Sequence, residues 1–406
     1  MALDLRACLT ALVAGGGSDL HLKVGRPPLG RYDGVLRPIL PDGPPLTAED
    51  TDGALRQMIV DPEHAAAFGA DHELDLAHDE PGIARLRVNA FRQRGLVSIV
   101  CRVVPDAPTS IEELGLPPVV AELADEERGL VLVTGATGSG KSTTLAAMVD
   151  RINRRRPCHV VTIEDPIELL HQDRMAVVNQ REVGTDTAGF GPALRRVLRQ
   201  DPDVILIGEL RDEETVRAAL SAAETGHLVL STVHTIDAAE AVGRLVGFFP
   251  PHQHAQIRAM LATTLQGVVS QRLVPLVEGH GRRAVCEILR ATGLVRDVLR
   301  DAGRTDELGA VVADGGHYGM QTFDQALCRL VLDGVVARED AMRAAARPHD
   351  LDLLLRSEGR TGTSMADVAD QARRGSGGGA SGRGPAADAP AAGTRASGAA
   401  PVLPAV

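Results

Sequence analysis

Apolar and polar positions divide the chain into two stretches with different grammars. Up to about residue 105, runs such as LHLKV, LRPIL, ARLRVNAF and LVSIVCRVV alternate or cluster apolar residues, and RPPLG, PDGPP and DEPG interrupt them. Period-two alternation predicts strands with one buried face, and Gly, Pro and Asp clusters predict the turns between them. Thr47 gives a cap signal for a helix from roughly Ala48 to Ile59. Residues 1–105 therefore read as a small α/β unit. Residues 106–118, rich in Pro and turn formers, read as a linker with one helical turn.

From residue 119 onward, continuous apolar runs (LVLVT, HVVTI, VILIG, HLVLSTV) alternate with helical stretches (STTLAAMVDRI, GFGPALRRVLR, EETVRAALSAAE). Buried strands separated by helices indicate an α/β fold with a parallel sheet covered on both faces. After Pro250 the pattern reads as mostly helical to about residue 372. Residues 373–406 are so rich in Gly, Ala, Pro and Ser that they cannot bury a core, and are expected to be disordered.

Composition narrows the classes. With 406 residues, two or three domains are expected. Aromatics make up 2% and Trp is absent, so Leu, Val, Ile and Ala must build the core. The net charge is −11, and the 373–406 tail carries four Arg against one Asp, so the body is more acidic still. That balance argues against a protein that coats nucleic acid or anionic lipid. Five cysteines lie far apart, with no C-x-x-C pair. A disulfide framework or zinc site is thus not expected, and a reducing cytoplasm is the natural compartment. The N-terminal MALDLRACLTALVAGGG places Asp4 and Arg6 inside any would-be signal core and reads as an amphipathic helix. No run reaches the ~18 apolar residues of a membrane span, so no direct membrane insertion is expected.

One motif carries chemistry by itself. Gly135, Ala136, Thr137, Gly138, Ser139, Gly140, Lys141 and Ser142 fit G-x-x-x-x-G-K-[ST], directly after the strand GLVLVT and directly before a helix that Thr143 continues. That context is what the phosphate loop requires. Backbone N–H groups turn inward around phosphate oxygens, and the helix N-terminus favours negative charge. Lys141 is expected on the β and γ phosphates and the Ser142 hydroxyl on Mg²⁺, with ATP as the ligand.

In a parallel sheet the ligand crevice lies beyond the C-terminal strand ends. VVTI ends in Glu164-Asp165, VILIG in Glu209, and LVLSTV in His234. Glu209 either polarises the attacking water or holds Mg²⁺ through the ion's hydration shell. Glu164 is a second candidate for orienting water, and His234 a neutral donor to the γ-phosphate. For any one of the three, a solvated or capping group at a strand end is the plain alternative.

Two further polar clusters read as structural. Arg151 to Arg156 lie at a helix C-terminus, which favours cations, and His252-Gln253-His254 forms a polar turn after Pro250-Pro251.

LRQDPDVILIGELRD (198–212) resembles the signature of the secretion ATPase superfamily that powers type II secretion and type IV pili. VVTIEDPIE (161–168) resembles its Asp box and TGHLVLSTVHT (225–235) its His box. SDLHLKVGRPPLGRYDG, NQREVGTDTAGF and GGHYGMQTFDQAL are similar to the PilT family of twitching-motility retraction ATPases. The resemblance spans about residues 1–350. It implies a PAS-like N-terminal domain (1–105), a RecA-like ATPase domain with C-terminal helices (119–372) and a homohexameric ring. It also implies ATP hydrolysis, Mg²⁺, an inner-membrane pilus platform protein as partner, a paralogous pilus ATPase beside it, and a cytoplasmic location peripheral to the membrane. Arg87 and Arg102 are the implied arginine fingers, with Arg211 and Arg181 near the nucleotide or an interface.

Two departures matter: Ala136 replaces the family's usual Pro, and the retraction motif A-I-R-N-L-I-R-E becomes LVRDVLRD (294–301), with Asp297 in place of Asn. Pilus assembly or protein secretion is the alternative, weakened by the missing tetracysteine insert. A RecA-like nucleic-acid translocase is a remote one, and no nucleic-acid partner is expected.

Overall fold

A computed structural model describes residues 3–32, 34–40, 43–104, 109–277 and 281–361. The 373–406 tail and residues 106–108 of the expected linker lie outside the described residues.

Two sheets organise the chain. The first has six strands, β1 (Asp19–Lys23), β2 (Leu29–Tyr32), β3 (Val35–Pro38), β4 (Glu73–Glu80), β5 (Ala84–Gln93) and β6 (Leu96–Val104), in the order β3-β2-β1-β6-β5-β4. Every pairing in it is antiparallel. Leu20, Leu22, Leu86, Val88, Ala90, Ile99 and Cys101 pack with Leu9 and Leu12 of helix α1 (Leu5–Ala14), Leu55 and Met58 of α2 (Ala48–Met58) and Phe68 of α3 (Pro62–Asp71). The other face carries the alternate, polar positions. Thr47 caps α2 in a reciprocal box with Asp50, two bonds that satisfy N-terminal donors. α3 was not expected from the sequence. Pro62 at its first position and Asp61 as its cap are the signals that mark it.

After α4 (Pro118–Ala124) comes the second sheet: β7 (Gly129–Thr134), β8 (His159–Glu164), β9 (Val177–Glu182), β10 (Val204–Ile207), β11 (Leu228–Val233), β12 (Leu265–Pro275) and β13 (Arg282–Arg290). Their order is β13-β12-β7-β11-β10-β8-β9. All neighbours pair in parallel except β12 with β13. All residues of β7, β10 and β11 are buried. The side chains of β7 divide between two cores, as a strand's alternation dictates. Leu130 and Leu132 join the core that also holds residues of α6 (Phe190–Val197), α7 (Glu213–Glu224), α8 (Ala238–Gly247), α9 (His254–Thr264), α10 (Gly293–Arg300) and α11 (Leu308–Asp314). Val131 and Val133 join α4, α5 (Lys141–Arg155) and Ile111, Leu114 and Leu116 of the linker.

The segment after Pro250 is mostly helical as expected, but the β12–β13 hairpin interrupts it. Residues 265–275 (LQGVVSQRLVP) form a run without strict alternation because both faces of β12 are covered, with Val268 in one core and Val269 in the other. Such a run has no period of its own to separate strand from helix. Beyond it, α12 (Phe323–Leu332), α13 (Arg338–Ala344) and α14 (Pro348–Thr361) pack on Val274 and Val285 of the hairpin.

The two sheets meet through a buried ion pair. Arg85 on β5 donates to Glu182 at the end of β9 (3.1 Å), with the two side chains 14% and 6% exposed. Glu182 also accepts the Ile167 backbone N–H.

Candidate active site

The phosphate loop leaves β7 at Thr134 and enters α5 at Lys141. Gly140, the N-cap, is left-handed (φ 89°) and provides no side-chain cap, so the first N–H groups of a 15-residue helix stay available to an anion. Gly135 and Gly140 are required sterically as well. A Cβ on Gly135 would come within 2.4 Å of the Gln271 carbonyl oxygen, and one on Gly140 within 2.7 Å of Gln271 Nε2. Ala136, Thr137 and Gly138 form the exposed tip, Ser139 is buried, and Ser142 and Thr143 are half-buried in the first turn of α5.

Lys141 is buried and its Nζ donates to the carbonyls of Gly135 (2.9 Å) and Ala136 (3.1 Å). Burial lowers its pKa, opposed by the charges of Glu209 and Glu168. The ammonium therefore rests on its own loop, within the field of two carboxylates.

Glu209 follows β10 and Gly208, at the same edge as the loop because β7, β11, β10 and β8 all run parallel. Its Oε2 accepts from Arg211 Nε at 2.7 Å and lies 3.5 Å from His234 Nε2. Arg211 Nη1 lies 3.8 Å from Asp165. The Glu209 bond and charge raise the Arg211 pKa. One edge thus gathers Lys141, Glu209, His234, Arg211 and Asp165.

Glu164 is placed differently. Its Oε1 accepts from Thr162 Oγ1 (2.7 Å) and Gln180 Nε2 (3.1 Å), which ties it down to the β8–β9 pair. Burial raises its pKa, against those two hydrogen bonds and with the charges of Glu168 and Glu182. A carboxyl of raised pKa at the strand edge suits proton handling.

Arg87 and Arg102 are direct cross-strand partners on β5 and β6. Arg87 Nη1 is 3.9 Å from Glu168, the residue whose charge Lys141 also feels. Arg181 donates to the Asp186 carbonyl.

Sequence reasoning missed three residues. Gln271 on β12 accepts from Thr144 Oγ1 (2.7 Å) and donates to the Ser139 carbonyl (2.7 Å), tying the C-terminal part of the loop and the first turn of α5 to the strand beside them. Arg85 makes the inter-sheet pair. Thr235, next to His234, is buried with an unpartnered Oγ1, as is Ser139. Gln271 and Arg85 have no motif spacing that would announce them, and Thr235 ends the His-box stretch without being a candidate there.

Among the described residues no group of three or more His, Cys, Asp or Glu could hold a metal ion. The donors present, one hydroxyl at Ser142 and the carboxylate of Glu209, fit Mg²⁺, which takes most of its ligands from phosphate and water.

A family model described as type II/IV secretion system protein matches residues 71–341. The chain belongs to that family. Within it, the type IV pilus retraction ATPase PilT of Pseudomonas aeruginosa is 45% identical over 348 residues, covering 86% of this chain and all of that protein. The type IV pilus ATPase PilU of the same organism is 42% identical over 356 residues, covering 87% and 92%. A crystal structure of the pilus retraction motor PilT with bound ADP superposes with a TM-score of 0.79 at 40% identity, over 86% of this chain and 99% of that one. The fold of this secretion-family chain is accordingly the RecA-like one, with a parallel sheet and many helices. No helix among its described residues is long and apolar enough to cross a membrane.

Proposed function

We propose that the chain is an ATP-hydrolysing motor that drives type IV pilus retraction as a homohexameric ring. The observation that carries the chemistry is the shared edge: an uncapped helix N-terminus, Lys141 and the Glu209–His234–Arg211 cluster, all delivered by parallel strands. The pilus assignment rests on likeness to the two pilus ATPases over nearly the whole chain.

In this reading ATP phosphates take the first N–H groups of α5, and Lys141 exchanges the Gly135 and Ala136 carbonyls for β and γ oxygens. Glu209, its Oε2 held by Arg211, orients the attacking water, and Glu164 receives or relays a proton. His234 senses the γ-phosphate across Glu209. Mg²⁺ bound by Ser142 and the phosphates would neutralise charge developing on the oxygens. Arg87 and Arg102 add positive charge to the transferring phosphoryl group. Because the arginines and the loop belong to different sheets, loss of the γ-phosphate frees one sheet to turn against the other. The turning ring acts in the cytoplasm on an inner-membrane platform protein, alongside a paralogous pilus ATPase.

Glu209→Ala is expected to lower ATP turnover by about 100-fold or more while ATP affinity changes only a few-fold. Hydrolysis at the wild-type rate would overturn the role of Glu209. Deleting the gene from its host should raise the number of surface pili and abolish surface motility. Bald cells would instead establish pilus assembly.

A further inference from the structure

The polar face of the first sheet carries a row of charges in direct register. Arg87 on β5 lies opposite Arg102 on β6, Arg102 opposite Asp19 on β1, and Asp19 opposite Arg31 on β2. Like charges directly opposite one another are unfavourable on a sheet, and the row holds three guanidiniums to one carboxylate, which contacts two of them, Arg102 and Arg31. In a chain of net charge −11, that local excess is built to receive an anion.

Asp19 is the fixed point of the row. It is 4% exposed, whereas the side chain of Arg102 is 58% exposed. Oδ1 accepts from Arg102 Nε at 2.9 Å, and Oδ2 accepts from Ser18 Oγ at 2.7 Å and lies 3.6 Å from Arg31 Nε. Burial works against the charge on Asp19, but the bonds from Ser18 and Arg102 and the nearby guanidiniums outweigh it, so the carboxyl stays below its ordinary range. Among the described residues only Nε of Arg102 is engaged. Its two terminal nitrogens have no partner among the described residues, and they are the pair that grips a phosphate in bidentate fashion. A buried carboxylate on Nε removes rotamer freedom from a long side chain before the anion arrives, which is how a supporting residue contributes to transition-state stabilisation.

We propose that Asp19 is a positioning residue that holds Arg102 with both terminal nitrogens free for the γ-phosphate on the phosphate loop. The assignment rests on the reading of Arg102 as a phosphate-facing arginine.

The test is steady-state ATP hydrolysis by full-length Asp19→Ala, Asp19→Asn, Arg102→Ala and Asp19→Ala/Arg102→Ala proteins. Asp19→Ala should lower kcat about tenfold or more, with KM for ATP within about twofold. Asp19→Asn keeps the shape and an acceptor oxygen and should recover part of the loss. The double variant should be no slower than Arg102→Ala alone, the non-additivity expected of residues acting as a unit. A purely structural aspartate would lower the melting temperature and leave kcat per folded protein unchanged, and that result overturns the proposal. So do losses that multiply in the double variant. If Asp19→Ala does not fold, the same cycle with Asp19→Asn decides. Arg102→Ala at the wild-type rate sinks the underlying arginine reading, whereas a slow Arg102→Ala beside wild-type Asp19 variants sinks only the role of Asp19.

Discussion

The two sheets use the same backbone chemistry to opposite ends. In the first, β5 alternates Leu86, Val88 and Ala90 inward with Arg85, Arg87 and Asn89 on the other face. Half its side chains stay free for work, and that work is done by a face. In the second, Leu130 and Leu132 enter one core and Val131 and Val133 the other, so β7 has no free face. Its chemistry is confined to where the strands stop: Thr134 leading into the phosphate loop, Glu164, Gly208-Glu209, and His234. An antiparallel sheet packed on one side presents a surface, and a parallel sheet wrapped on both sides presents an edge. The proposed motor sets that surface against that edge.

The contrast breaks most severely where the sheets are joined. Glu182→Ala leaves Arg85, among the described residues, with the exposed Asp79 alone and strips the Ile167 N–H of its acceptor. Removing one partner of a buried pair is expected to cost about 3–5 kcal/mol, read from the urea midpoint. A cost below about 1 kcal/mol would mean that the pair does not hold the sheets together.

A pH effect comes next in size, at the hairpin side of the second sheet. Burial pushes Glu287 on β13 up to about 7, against the hydrogen bond it accepts from Ala238 N–H. The folded state therefore holds a proton that the unfolded chain releases near its ordinary carboxyl pKa. Its stabilising contribution is complete below about 4.5 and is lost as pH rises to about 7, an effect of about 3 kcal/mol. Glu287→Gln should become more stable relative to wild type across that interval, with the difference constant above it. Parallel stability curves from pH 4.5 to 7.5 would refute the buried-acid account.

Neighbouring substitutions sharpen the comparison at the smallest scale. In β7, Val131→Ala and Leu132→Ala should each cost about 2 kcal/mol or more, because each opens a cavity in a different core. In β5, Val88→Ala should cost a similar amount, but Arg87→Ala should change stability by less than about 0.5 kcal/mol. Equal losses at Arg87 and Val88 would show that the first sheet is covered on both faces.

Local chemistry made much of this legible in the sequence. The strand–loop–helix context fixed the phosphate loop at 135–142. The strand-end rule selected Glu209 and His234, which the structure brings within 3.5 Å of each other. The Thr47 cap and the alternation of ARLRVNAF marked α2 and β5, because capping and period two need only neighbours in sequence. The hairpin after Pro250 was missed for the converse reason, since β12 sends Val268 into one core and Val269 into the other and carries no clean alternation. Gln271, Asp19 and Arg85 were invisible on similar grounds. Each owes its role to a partner 127, 83 or 97 residues away, and a carboxylate, amide or guanidinium has no distinguishing pattern until a distant strand is laid beside it. The sequence alone determined a phosphate loop between a strand and a helix, and which strand ends share its edge. Only the tertiary structure decided which side chains hold the loop and the arginines in place, because those contacts depend on strand order and register.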